Sequence, residues 1–210
     1  MMVDASAYPR LARYLRSLPN GLLSYPECEG KATMYREAVT KAPKPLGRHG
    51  LDRLIVDYLD DPVPTTAWVP EVVNVAVYLA LADGVFGSEE GLYAFVGSLS
   101  DEIFRSPMYR VLMAVASPER LARAAERRWQ HFHTGSGYSI RIGTNGTESH
   151  ITYPPYLFDR IYMTANTRAI EAGYRASGAK GARVEITSWS PTETVMRSVW
   201  DPSRDPGLEG

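Results

Sequence analysis

The sequence predicts an α+β domain: a helical bundle followed by a hairpin-helix-hairpin (ββαββ) unit whose four antiparallel strands carry a helix on one face. Three observations predict it. A helical repeat of apolar residues runs almost unbroken from Glu71 to Phe132, the repeat gives way to alternation at Gly135, and a second alternating stretch follows a long helix near the C-terminus. The composition agrees, since 210 residues, 44% hydrophobic and 22% charged, suffice to bury one sizeable core.

Helical stretches at Leu11–Leu18 and Lys31–Thr40 come first. They end at Lys41-Ala-Pro-Lys-Pro-Leu-Gly47, whose prolines restrict their neighbours and make it a connector. The chain is therefore expected to divide into an N-terminal helical arm, 1–47, a helical plus sheet sensor-like domain, 48–201, and a frayed tail, 202–210. A short helix, Leu51–Leu59, leads into Asp61–Pro70, a proline-rich segment that reads as extended or turned. Val72–Ala82 is apolar on nearly every side and belongs in the middle of the core. Ser88 can cap the next helix, where Leu92, Phe95, Val96, Leu99 and Ile103 mark one buried face before Pro107 interrupts. Ser117-Pro118-Glu119 supplies a cap, a proline at the first helical position and an early acid for a helix running to about Phe132.

Beyond Gly135 the period is that of a strand. Tyr138, Ile140 and Ile142 alternate with polar residues, Asn145-Gly146 offers a tight turn, and Ile151 and Tyr153 resume the apolar face. That turn sets His150 opposite Arg141 on the polar face. A helix from about Tyr156 to Ala176, closed by Gly178, separates this hairpin from a second one, Arg183–Trp189 and Thr194–Trp200 around Pro191-Thr192.

Charge and cysteine content narrow the function. Lys and Arg number 23 against 24 Asp and Glu, so a protein built to coat nucleic acid is not expected. Arg120, Arg123, Arg127 and Arg128, interrupted by Glu119 and Glu126, read as a solvated helix face. Cys28 is the single cysteine, which excludes an intramolecular disulfide and a Cys-rich metal site, and its neighbours Glu27 and Glu29 would raise its thiol pKa. The first ten residues carry no signal-like apolar run, and Val72–Ala82 is too short to span a bilayer, so a cytoplasmic chain without a membrane partner is expected. No catalytic template is present. Thr134-Gly-Ser-Gly-Tyr138 leads from a helix into a strand, the reverse of a nucleophile elbow, and neither a His-Glu-x-x-His pattern nor a dinucleotide fingerprint occurs.

The residues left as site candidates are few. His131 and His133 read either as haem or metal ligands or as histidines meeting the last carbonyls of a helix. Helical arithmetic turns Arg128 and Arg168 toward apolar neighbours, which suits internal ion pairs or an anion-gripping pair in a pocket. Tyr138, Tyr153 and Tyr162, with Tyr156 and Trp200, cluster around the predicted sheet and its helix, as a core edge or as the wall of a ligand cavity.

Ser117-Pro-Glu-Arg-Leu-Ala-Arg123, Phe132-His-Thr-Gly-Ser-Gly-Tyr138, Gly173-Tyr-Arg-Ala-Ser-Gly-Ala179 and the closing Val199-Trp200 resemble an uncharacterised bacterial paralogous family of myxobacterial type. That family is distantly similar to the vinyl-reductase-like and haem-NO-binding superfamily, and the likeness covers roughly the last two thirds of the chain. The resemblance implies sensing or carrying: members bind haem, aromatic effectors or protein partners between helices and sheet, often as dimers. Two motifs depart from it. The haem-binding branch uses Tyr-x-Ser-x-Arg, whereas Tyr138-Ser-Ile-Arg141 is one residue short, and the metal-binding aromatic sensors use cysteines where this chain has only Cys28. The expectation is a non-catalytic sensory or carrier domain, homodimeric, binding a hydrophobic, aromatic or tetrapyrrole-like small molecule, with haem as the one cofactor candidate. The alternative is a protein-interaction module with no small-molecule ligand.

Overall fold

The computed structural model describes residues 3–114 and 116–201, so the predicted frayed tail lies outside the described residues. The first part is helical: α1 (Pro9–Ser17), α2 (Thr33–Lys41), α3 (Arg53–Asp60), α4 (Glu71–Leu81), α5 (Glu89–Arg105), α6 (Pro107–Ala114) and α7 (Pro118–Arg128). Within it, two short strands, β1 (Glu29–Lys31) and β2 (Trp68–Pro70), pair antiparallel. There follow β3 (Gly137–Gly143), β4 (Gly146–Thr152), α8 (Arg160–Ala176), β5 (Arg183–Ser190) and β6 (Glu193–Val199), the strands forming an antiparallel sheet in the order β3-β4-β6-β5. This is the predicted α+β class.

Local chemistry explains most boundaries. Ser88 and Ser117 cap α5 and α7 through Gly91 N and Arg120 N, and Pro118 occupies the first turn of α7. All of α4 is buried, Glu71 and Asn74 included, as its all-round apolar character requires. Helix α8 lies between α5 and the sheet, where Leu92, Val96 and Leu99 of α5 and Ile161, Met163 and Ala165 of α8 are buried. Tyr8, Leu11, Tyr14 and Tyr35 from the first 47 residues share one hydrophobic cluster with α4 and α8. Asp83, just beyond α4, accepts from the backbone N–H of Arg10 and Leu11 and from the Arg10 guanidinium, which fastens the start of α1 to the core.

The structure corrects four expectations. The helix read from Lys31 begins at Thr33, because Glu29–Lys31 is spent on pairing with Trp68–Pro70. The helix read from Tyr156 begins at Arg160, because Asp159 caps it through Ile161 N while Tyr156 sits at φ 61, outside helical geometry. The helix read to Phe132 ends at Arg128, with a single tighter turn, Trp129–His131, after it. In the first hairpin Gly143 pairs with Gly146, so Thr144-Asn145 makes the turn with Asn145 at φ 56, and His150 faces Ser139 rather than Arg141. That shift is by two residues, so it leaves His150 on the polar face.

Among the described residues, no single helix is long and apolar enough to cross a membrane.

Candidate functional site

Helix α4 carries Glu71, Asn74 and Tyr78 at i, i+3 and i+7, which places them along one face. Burial of that face in a hydrophobic core is costly for the two polar side chains unless they are partnered. They are only partly partnered. One carboxylate oxygen of Glu71 lies 3.4 Å from His133 Nδ1, while Glu71 Oε1 and both polar atoms of the Asn74 side chain have no hydrogen-bond partner. Across from them, on α8, Tyr162 packs edge-on against Tyr78 with ring centroids 5.3 Å apart, and its hydroxyl is also unpartnered. Glu71 and Tyr162 are each 1% exposed and Asn74 is 0% exposed, so bulk water does not reach them. Among the described residues, Trp189 Nε1 is the one orphaned buried side-chain atom outside this cluster.

A short strand segment holds His133 there. Lys31 N donates to Phe132 O at 3.0 Å and Thr134 N to Glu29 O at 2.8 Å, so residues 132–134 pair with β1 on the edge away from β2. Thr134 Oγ1 accepts from Glu29 N and donates to Glu27 O, and Glu71 N donates to Cys28 O, which ties the start of α4 to the same strand. Gly30 lies under the cluster: a methyl group on it would meet Glu71 Oε2 at 2.0 Å and Asn74 Nδ2 at 2.4 Å. The polar ends of Glu71 and Asn74 therefore occupy space that any residue with a Cβ would fill.

Aromatic rings surround the cluster. Trp129 stacks on His133 at 4.0 Å and on Tyr138 at 5.0 Å, Phe158 stacks on Tyr162 at 5.7 Å, and Tyr153 meets Phe158 edge-on at 4.9 Å. The Tyr138 hydroxyl pairs with Ser149 Oγ, and that of Tyr153 with Thr194 Oγ1 and Ser190 O. Burial pushes both phenols up to about 12. Burial, with a further contribution from the Glu71 charge, holds Tyr162 well above the ordinary phenol value, Asn166 nearby offsetting only part of it. These tyrosines are hydrogen-bonding groups and not bases at neutral pH. The Cys28 thiol is pushed up to about 11 by burial first, then by Glu27 and Glu71, so it is no nucleophile; the neighbour Glu29 has no part in that shift.

The sequence-predicted candidates divide sharply. His133, Tyr162, Tyr138 and Tyr153 converge on this interior. His131 does not: it is exposed in the turn after α7, two residues from His133 but on the solvent side. Arg128 is exposed too, which corrects the core-facing orientation that helical arithmetic assigned it; it is the last residue of α7, where the arithmetic loses its neighbours. Arg168 likewise turns outward, pairing with Glu171 at 3.6 Å beside a surface cavity of about 430 Å³ that Tyr93, Asp101 and Arg175 also line. Neither arginine meets the interior cluster. His150 bridges Glu148 and Glu193 at 3.2 Å each on the open face of the sheet, and hydrogen bonds to those carboxylates raise its pKa. Glu71 and Asn74, the centre of the cluster, were missed by sequence reasoning; the signal available was two polar residues at i, i+3 in an otherwise apolar helix.

No protein-family model matches the chain, and no curated protein matches it. Solved structures do. The Fe(II) unliganded H-NOX protein from K. algicida is 11% identical with a TM-score of 0.55, over 82% of this chain and 97% of that one. A point mutant of the same protein is 12% identical with a TM-score of 0.53, over 82% and 97% of the two chains. A Cs H-NOX mutant carrying an unnatural amino acid is 8% identical with a TM-score of 0.50, over 82% and 97%. The likeness is one of fold, and it bears out the distant similarity to the haem-NO-binding fold.

The residues present do not fit haem. Tyr138 and Arg141 stand three apart on β3 and so point to opposite faces, Tyr138 inward and Arg141 outward, its side chain 84% exposed beside Glu148. No propionate grip can form from that pair. His133 has one ring face on Trp129 and Nδ1 against Glu71, with Phe158 edge-on to it.

Proposed function

We propose that the chain is a non-catalytic sensory or carrier domain whose small-molecule ligand sits between α4 and the layer formed by α8 and the sheet, at the Glu71–His133 cluster. The observation that carries this reading is the set of buried, unpartnered polar atoms on Glu71, Asn74 and Tyr162. Each unsatisfied buried group costs about 1–3 kcal/mol, and such groups are rare in native interiors, where a bound molecule, an ion or ordered water satisfies them. The aromatic walls suit a flat ligand, and the placement of Tyr138 and Arg141 on opposite faces of β3 speaks against a tetrapyrrole. A second reading, a protein-interaction module, rests on the outer face of α7 and the turn after it, where Arg123, Arg127, Arg128 and Phe132 are exposed.

Native mass spectrometry of the freshly purified chain, with its visible spectrum, tests both readings. The expected result is an added mass below that of a tetrapyrrole, no Soret band, and a melting temperature that rises with the released compound. A Soret band would contradict the small guest. Concentration-dependent self-association without added mass or compound-induced stabilisation would favour the interaction module.

A further inference from the structure

We infer that His150 is a proton-operated latch across the open face of the four-stranded sheet: as an imidazolium it ties β4 to β6 through two carboxylates, and on losing its proton it releases one of them. His150 Nδ1 lies 3.2 Å from Glu193 Oε1, and its Nε2 lies 3.2 Å from Glu148 Oε1. An ionised carboxylate only accepts, and a neutral imidazole has a single N–H. Both contacts are therefore hydrogen bonds only when the ring carries two protons and a positive charge. In the neutral ring the second nitrogen turns a lone pair toward a carboxylate oxygen, and that contact becomes repulsive.

Strand register sets these side chains together. His150 stands opposite Ser139 of β3 and Val195 of β6, with Glu148 two residues before it on β4 and Glu193 diagonally across on β6. The other charged groups on this face are Arg141 of β3 and Arg197 of β6, each in register with Glu148, and Arg183 and Glu185 of β5, Glu185 in register with Arg197. Arg141 Nη1 lies 3.8 Å from the Glu148 oxygen that meets His150, whereas among the described residues the Glu193 carboxylate has His150 as its one partner. The latch also lies directly behind the aromatic wall, because neighbouring residues on a strand point to opposite faces. Ser149, next to His150, pairs with the Tyr138 hydroxyl, and Thr194, next to Glu193, pairs with that of Tyr153. Hydrogen bonds to Glu148 and then to Glu193 raise the His150 pKa above the ordinary histidine value, burial offsetting part of the rise. The stabilisation is thus present below the unfolded value of about 6.5 and is lost as pH rises through the folded midpoint.

The test uses the full chain, with the proton as the probe. Nitrogen shifts of the His150 ring, identified by their loss in His150→Gln, and amide hydrogen exchange of β4 and β6 are followed across the histidine range of pH. The expected result is a ring protonated at both nitrogens below a midpoint that lies above about 6.5. Glu148→Gln and Glu193→Gln each lower that midpoint, and the two together return it to about 6.5. Exchange protection of the β4–β6 amides, Ser149 and Thr194 included, falls as pH rises through the same midpoint and is independent of pH in His150→Gln. All three positions lie on the open face, away from the interior cluster, and the latch needs no bound guest. A midpoint at or below about 6.5, a midpoint indifferent to either glutamine substitution, or protection that does not follow the ring overturns the latch.

Discussion

His133→Ala lowers stability by about 1–3 kcal/mol, the range for leaving a buried polar group without its partner. Among the described residues the Glu71 side chain, 1% exposed, has His133 Nδ1 as its one hydrogen-bonding partner, so the substitution leaves the whole carboxyl group buried and unpartnered. It also removes a ring stacked at 4.0 Å on Trp129 and edge-on to Phe158. The double variant Glu71→Leu with His133→Phe loses far less than the sum of its parts, because it removes the group that needed satisfying along with the group that satisfied it. Urea unfolding at constant m-value measures both. A loss for His133→Ala below about 1 kcal/mol, the level of a surface ion pair, would show that His133 does not anchor the cluster.

Gly135→Ala costs about 2–5 kcal/mol, combining a left-handed backbone for alanine with a clash against the buried Cys28. Gly135 sits at φ 68, and a Cβ on it would lie 2.3 Å from Cys28 Sγ and 3.1 Å from Cys28 Cα. The consequence reaches the cluster, because Cys28 precedes β1 and the turn at Gly135 follows the 132–134 segment that carries His133. Adding Cys28→Ala recovers part of the overpacking loss and none of the backbone loss, so the double variant stays less stable than Cys28→Ala alone. Thermal unfolding of the four chains checks this, and full recovery would mean that the backbone conformation at Gly135 carries no strain for alanine.

Much of the fold is legible in the sequence because its signals are local. Ser88, Ser117 and Pro118 mark helix starts through capping chemistry that operates over three residues. The alternation of Tyr138, Ile140 and Ile142 with polar residues fixes which side of β3 packs against the core. What local signals miss depends on partners far along the chain. The pairing of Glu29–Lys31 with Trp68–Pro70 joins segments with two helices between them, and three residues of strand leave too short a pattern to read. The hairpin turn slips because Gly143 and Gly146 both accept pairing positions, which leaves two tight turns open to the same sequence.

The site is legible only in halves. Tyr138, Tyr153 and Tyr162 stand out by type and place, and His133 by its doublet with His131, since each lies in the second half of the chain near the sheet. Glu71 and Asn74 belong to the opposite wall, and a polar residue in an apolar helix announces itself but not its partner. Arg128 and Arg168 mislead for a physical reason: a long side chain at an inward-tilted position can carry its charge back to solvent, as Arg168 does toward Glu171.

The central claim is that a guest other than water satisfies Glu71, Asn74 and Tyr162, and a high-resolution crystal structure of the purified chain tests it most directly. The account predicts planar density larger than a water molecule within hydrogen-bond reach of Glu71 Oε1, both ends of the Asn74 amide and the Tyr162 hydroxyl. Density for ordered water alone, or side chains turned to pair with one another over an interior with no guest, would contradict it.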